Sequence, residues 1–129
     1  MSKVISTSNA PLPVGVYSQA IVADGFVFVA GQAAINPETN LMELGDIRSE
    51  TERTLKNIQA ILIAAGSSLE HVVRFGVFLS DLNDFAAMNE IFHKFFPSDP
   101  PARSTVGVQL PNIKVEIDCI AQVSNSAAT

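Results

Sequence analysis

The most constraining feature of this 129-residue chain is a short hairpin pattern near its N-terminus. Apolar runs lie on both sides of the dipeptide Asp24-Gly25. A two-residue type I′ turn needs positive φ at both central positions, which Asp-Gly tolerates, so the pattern predicts two antiparallel strands. Side chains alternate along a strand, so Phe26 and Phe28 face one way and the valines beside them face the other. The second strand is therefore apolar on both faces of its sheet.

Two helical patterns and four further strand patterns complete a predicted order of β-ββ-α-β-α-ββ. Apolar residues at spacings of three and four predict a first helix, with Asp46 as its N-cap and Gly66 at its end. A second helix follows, and Pro97 ends it. The strands are expected near residues 3–6, 21–23, 26–29, 72–79, 102–108 and 113–123. The helical stripes are Ile47, Thr51, Leu55, Ile58, Leu62 and Ala65 in the first helix, and Phe85, Met88, Phe92 and Phe95 in the second.

This order has a consequence for assembly. The length indicates a single domain, residues 1–129, with a short polar tail at 124–129 that is expected to fray. Two helices cover one face of a five- or six-stranded sheet, but not both. Because the strand at 26–29 is apolar on both sides, the second face needs a cover, and another copy of the chain is the simplest one. A symmetric homo-oligomer is therefore predicted, with a monomer as the weaker alternative.

Composition excludes several classes of function. The formal net charge is −5 and no block of Lys or Arg occurs, which argues against a nucleic-acid partner. No run of 18 apolar residues occurs and the N-terminus lacks the apolar core of a signal peptide, so no membrane span is expected. Cys119 is the only cysteine, which excludes an internal disulfide and favours the cytoplasm. His71 and His93 lack spaced partners for a metal, so no metal site is predicted.

The candidate chemistry lies in the last third of the chain. Arg103 follows a rigid Pro-Pro, and a guanidinium can bind a carboxylate through two parallel charge-assisted bonds. Glu116 and Asp118 share one face of the last strand, where a carboxyl group can activate water. Two alternatives stay open: Arg103 could pair with a carboxylate across strands, and Asp118 could face solvent or a subunit contact. For Glu116 the favoured interpretation is an ion pair with Arg74.

Several motifs along the chain resemble those of the reactive intermediate/imine deaminase family, RidA, also called YjgF. The resemblance covers the chain from about Ser6 to Ala121 and rests most on Gly-x-Tyr-Ser-Gln-Ala at 15–20 and Pro-Ala-Arg-Ser at 101–104. It implies a chorismate-mutase-like α+β fold, in which a mixed sheet carries two helices on one face, and a homotrimer with a central β-barrel. It also implies a ligand cleft between subunits. The other matching segments are 9–11, 30–32, 84–85, 88–89 and 115–117.

The resemblance also implies an activity. Family members hydrolyse 2-imino or 2-enamino acids, of the 2-iminobutanoate and 2-iminopropanoate type, to 2-keto acids and ammonia without a metal or organic cofactor. By position, Arg103 would bind the substrate carboxylate and the backbone at Gly31 would contact the same ligand. Tyr17 and Asn89 would line the cleft. The expected partners are a small 2-imino or 2-keto acid and two further copies of the chain.

Four positions depart from the better-studied deaminases. Ala30 replaces a serine before the cleft glycine, Thr105 replaces a cysteine found in many members, and Glu50 replaces a glutamine. The glutamate credited with water activation is interpreted as Asp118. The predicted catalytic residues are therefore Asp118 and Arg103, and the predicted substrate-binding residues are Arg103, Tyr17, Gly31, Ala30, Thr105 and Asn89.

Two alternative functions come from other classes. The same trimer could bind and sense a small carboxylic acid without turning it over, and the Ala30 and Asp118 departures favour this hypothesis. Some similar proteins are reported as endoribonucleases or translation inhibitors. The net negative charge and the lack of a stripe of Lys and Arg residues argue against RNA cleavage here.

Overall fold

The computed structural model describes residues 2–124, which form a six-stranded sheet with two helices. The tail predicted to fray falls outside this range except for Ser124. The strand order across the sheet is β1-β2-β3-β6-β4-β5, with β5 parallel to β4 and the other neighbours antiparallel. The strands are β1 (Lys3–Ile5), β2 (Ala20–Ala23), β3 (Phe26–Gln32), β4 (Val72–Leu79), β5 (Ala102–Gly107) and β6 (Val115–Gln122), and the helices are α1 (Ile47–Ala64) and α2 (Phe85–Phe95).

The N-terminal hairpin has the predicted turn. Asp24 has φ 53° and Gly25 has φ 82°, so both central residues adopt the left-handed conformation that a type I′ turn requires. The turn pairs Ala23 with Phe26 and fixes the register of β2 against β3. The predicted order of elements and the mixed α+β sheet are both confirmed.

Both helices begin near the expected residues. The Asp46 side chain accepts a hydrogen bond of 2.8 Å from the Ser49 N–H and so caps α1. The prediction of the apolar face of α2 is only partly right. Phe85, which was predicted to be on this face, is 42% exposed, and Ile91, which was not predicted, is buried. Phe85 opens the helix at the edge of the sheet, where the core does not extend over its ring.

The core lies between the helices and one face of the sheet. Alternate residues of β6 are buried on this side, and the Phe75 ring of β4 meets the Phe92 ring of α2 edge-on at 5.2 Å between centroids. Cys119 belongs to this core, and burial raises the pKa of its thiol to about 12. The opposite face, where Phe28 is 45% exposed, carries Glu116 and Asp118.

Neither a membrane-spanning helix nor a metal-ligand cluster occurs among residues 2–124. No helix within 2–124 is long and apolar enough to cross a lipid bilayer. Over the same range, no group of three His, Cys, Asp or Glu side chains is arranged to hold a metal ion.

Candidate functional site

Arg103 lies on the helix side of the sheet. It is the register partner of Phe75 in the parallel β4–β5 pair, and so its side chain extends towards α2. The guanidinium carbon is 5.0 Å from the centroid of the Phe92 ring and 5.5 Å from that of Phe85, and Nη1 is 4.0 Å from the Met88 sulfur. Aromatic faces attract a cation without using its hydrogen-bond donors. Apart from the Nη1 donor directed at the Met88 sulfur, the donors of Arg103 therefore remain available to a ligand.

No carboxylate neutralises this guanidinium within residues 2–124. The ion pairs in that range join Arg48 to Glu90, Lys56 to Glu52 and Lys114 to Glu50. Burial lowers the pKa of Arg103, which shows that its charge is partly removed from water. A half-buried cation without a carboxylate partner can bind an anion, and the guanidinium fork suits a carboxylate. The predicted alternative, an ion pair across strands, is not formed in this range.

Arg103 lines a cavity of about 330 Å³. Asn89 of α2 lies in the same wall. Thr105, two residues after Arg103, is half-buried and pairs with Val77, so it lies on the same side of β5. The rest of the wall is mostly apolar and comprises Phe75, Phe92, His93, Phe96, Pro100 and Pro101.

A second cavity, of about 200 Å³, contains the other predicted ligand contacts. Tyr17 and Gly31 line it, and so does Glu116. A Cβ atom at Gly31 would lie 2.6 Å from Glu116 Oε2, so a side chain there would displace the carboxyl group. The absence of a side chain at Gly31 therefore permits the close approach of Glu116. Ala30, its neighbour, is half-buried and donates its N–H to the Gln19 carbonyl oxygen at 2.9 Å.

The position of Glu116 corrects the sequence interpretation. Its expected partner, Arg74, forms no ion pair with it in the described range; Arg74 Nη1 and Asp118 Oδ1 both approach Gly76 instead. Burial raises the pKa of Glu116, and the negative charge of Asp118 raises it further. Glu116, and not Asp118, is the acid that lines the cavity with Tyr17 and Gly31.

The predicted catalytic pair is not brought together within one chain. Asp118 is the register partner of Gly76, whereas Arg103 is the partner of the adjacent Phe75, and side chains at adjacent positions of a strand face opposite sides. Arg103 and Asp118 therefore lie on opposite faces of the sheet. Within a chain the candidate residues form two separate groups: Arg103, Asn89 and Thr105 in one, and Tyr17, Gly31 and Glu116 in the other.

Gln19 holds the loop beside this second cavity, a role that was not predicted from the sequence. Its buried side-chain amide donates to the carbonyl oxygens of Thr7, Ala10 and Pro11 at 3.0, 3.3 and 2.8 Å, and its oxygen accepts the Thr7 N–H at 2.7 Å. These bonds fix the loop that places Pro11 in the wall of the Tyr17 cavity. In the sequence, the signal for this role is a glutamine directly before an apolar strand.

Replacing Gln19 by leucine is expected to destabilise the fold by about 2–4 kcal/mol, because buried carbonyl and N–H groups of the loop lose their partners. Urea unfolding followed by circular dichroism measures the free energy of unfolding. Gln59→Leu, at an exposed position of α1, is the matched control and should change it by less than about 0.5 kcal/mol. Equal stabilities for the two variants would show that Gln19 does not hold the loop.

Comparison with known proteins shows which family this chain belongs to. The family model described as Endoribonuclease L-PSP matches residues 7–123. A RutC family protein of Pyrococcus horikoshii is 50% identical over 123 residues, which is 94% of this chain and 98% of that protein. The 2-iminobutanoate/2-iminopropanoate deaminase of Dermatophagoides farinae is 42% identical over 94% of this chain and 96% of its own length. The chain belongs to the RidA/YjgF family.

Solved structures of RidA/YjgF proteins share the whole fold. Escherichia coli TdcF, solved with bound serine, superposes with a TM-score of 0.88 at 38% identity and covers 95% of this chain and 99% of its own. RidA from an Antarctic Psychrobacter superposes with a TM-score of 0.90 at 41% identity, over 94% and 99% of the two chains. Deaminases are thus among the relatives of this RidA/YjgF protein.

Proposed function

We propose that this protein hydrolyses small 2-imino acids, of the 2-iminopropanoate and 2-iminobutanoate type, to 2-keto acids and ammonia. The observation that carries the proposal is the Arg103 guanidinium, which is half-buried over two aromatic rings, lines a cavity and has no carboxylate partner among residues 2–124. Relatives named as deaminases support the reaction, and the serine bound to TdcF supports a ligand of this size and charge.

The chemistry requires little from the protein. An imine carbon is already electrophilic, so the site needs to hold the carboxylate, direct water to C2 and move protons until ammonia leaves. Arg103 binds the carboxylate and thereby fixes the position of C2. Glu116 passes one proton from the attacking water to the imine nitrogen, and then passes the proton of the carbinolamine hydroxyl to the same nitrogen as the C–N bond breaks and ammonia leaves. Its raised pKa suits both steps, because a carboxyl group that retains its proton at higher pH is a better donor near neutrality.

Arg103 and Glu116 line separate cavities within one chain, so we propose that the complete site forms between copies in a homotrimer. The β5 strand carries Arg103 at the edge of the sheet, where a second chain can approach. The sheet face without helices, where Phe28 is exposed, supplies apolar surface for the assembly. In this arrangement Arg103 of one copy meets Tyr17, Gly31 and Glu116 of the next.

Mixing two inactive variants tests this composite site. Arg103→Ala and Glu116→Gln should each lack activity, but after unfolding together and refolding they should regain about a quarter of the wild-type rate, because random assembly gives that fraction of intact sites. Separately refolded and then mixed proteins are the control. No recovery in an assembled mixture would place both residues in one subunit's site.

The wild-type protein must first accelerate the reaction. The measurement is the rate at which 2-iminopropanoate is converted to pyruvate, against the rate without protein. Saturable binding of 2-oxobutanoate without any acceleration would reject the deaminase and leave the alternative of a small-carboxylate sensor.

A further inference from the structure

Three of the four buried polar side chains of the helix α1 lie at successive turns, on the side that faces the sheet. Glu50, Thr54 and Asn57 each have no exposed surface. Burying a carboxylate is unfavourable unless it is paired and hydrogen-bonded, so Glu50 needs an explanation beyond helix formation. No step of the proposed reaction uses these three residues.

Glu50 contacts the residue that leads into β6. Its Oε1 accepts the Lys114 N–H at 2.9 Å, and its Oε2 is 3.6 Å from the Lys114 Nζ. Oε2 has no hydrogen-bond partner, so the Lys114 ammonium is the charge that compensates it. Glu50 therefore holds Lys114 by both its main chain and its side chain.

Lys114 lies two residues before Glu116. Lys114 lies in the bend before β6, and residues two apart in an extended segment are about 7 Å apart, a distance that a lysine side chain can span. A free Lys114 ammonium would thus pair with Glu116. The shifted pKa of Glu116 arises from burial and from Asp118, with no contribution from Lys114.

Asn57 holds the opposite rim of the same cavity. Its Nδ2 donates to the carbonyl oxygens of Ala33 and Ile35, at 3.0 and 2.8 Å, and both residues line the cavity that contains Glu116. Glu50 and Asn57, both on α1, therefore fix the two walls of the cavity between which the Glu116 carboxyl group lies. The buried polar side chains of α1 are therefore connected to the cavity that contains Glu116, and not to the cavity that contains Arg103.

We propose that Glu50 is a positioning residue of the site: it fixes the backbone that carries Glu116 against Gly31 and keeps the Lys114 cation away from the Glu116 carboxyl group. The proposal deepens the function above and rests on it for its catalytic consequence. The titratable and charged groups around Glu116 are Tyr17 from the N-terminal loop, Arg74 from β4, Lys114 and Asp118 from the β6 segment, and Glu50 from α1.

Two variants of Glu50 separate its hydrogen bond to the Lys114 N–H from its charge interaction with the Lys114 ammonium. Glu50→Gln keeps an acceptor for the Lys114 N–H but releases the ammonium. The pKa of Glu116, followed by carboxyl carbon NMR, should fall by about one unit, because an opposite charge nearby favours the ionised form. The acidic limb of the kcat profile should move to lower pH by the same amount. Glu50→Gln combined with Lys114→Met should restore both values.

Glu50→Leu removes both interactions. We expect faster hydrogen exchange at the Lys114 amide and a fall of about 100-fold in kcat with little change in KM, since a displacement near 1 Å has that effect. Thr54→Val is the control, because the Thr54 hydroxyl bonds only to the Glu50 carbonyl oxygen one turn earlier. It should leave the Glu116 pKa and the Lys114 exchange rate unchanged.

The NMR titration and the amide exchange do not need turnover, so they test Glu50 even if the wild-type protein proves inactive as a deaminase. An unchanged Glu116 pKa in folded Glu50→Gln would overturn the role of the charge. Lys114 exchange in Glu50→Leu that equals the wild-type rate would overturn the role of the main-chain bond.

Discussion

Arg103→Ala is expected to lower kcat/KM for 2-iminopropanoate by about 1000-fold, because two charge-assisted hydrogen bonds to the carboxylate contribute about 4 kcal/mol together. The guanidinium already lies against Phe92 and Phe85 with its donors unpaired by carboxylates of residues 2–124, so a ligand anion meets no competing one there. The rate of pyruvate formation measures the loss. Binding of 2-oxobutanoate, followed by calorimetry, should weaken in parallel.

Two further variants make the Arg103 result specific. Arg103→Lys keeps the charge but not the planar fork, and should recover only part of the loss. Arg48→Ala removes an exposed arginine that pairs with Glu90, so it changes the net charge equally and should retain nearly full activity. Activity of Arg103→Ala close to that of Arg48→Ala would exclude Arg103 from the site.

Local signals in the sequence predicted most of the fold. The Asp24-Gly25 turn, the Asp46 cap and the apolar periodicities depend on neighbouring residues, and each appears at the expected place. The strand order across the sheet depends on contacts between distant segments, so local signals do not predict it, and the family resemblance implied only the type of fold. The error at Phe85 has a similar cause, because periodicity gives a helix face but not how far the core extends under it.

The site was predicted less completely, and the reason is strand register. The β3–β6 pairing shifts between Val29 and Gln32, so that two residues of β3 oppose one of β6. This shift brings Gly31 to Glu116. Nothing in the alternation of residues 113–123 distinguishes Glu116 from Asp118, because both occupy the same face. The choice between two acids spaced by two residues therefore needed the three-dimensional pairing.

Glu116→Gln should lower kcat for 2-iminopropanoate by about 1000-fold, since a positioned acid–base group contributes roughly 100- to 10,000-fold. The fold should survive. Because the folded-state pKa of Glu116 is raised, its ionised form destabilises the protein as pH rises through that value, and the neutral amide removes this effect. The thermal midpoint at pH 7 should therefore be at least that of the wild type, which separates lost chemistry from lost structure.

Asp118→Asn is the matched variant on the same strand and face. It should retain kcat within a few-fold, but its pH profile should change in a defined direction. The negative charge of Asp118 raises the pKa of Glu116, so its removal lowers that pKa and moves the acidic limb of kcat to lower pH. The opposite pattern, with Asp118→Asn inactive and Glu116→Gln active, would make Asp118 the acid, as the family resemblance first suggested. Because both carboxyl groups lie on the face opposite Arg103, either outcome is consistent with the proposed site between two copies of the chain.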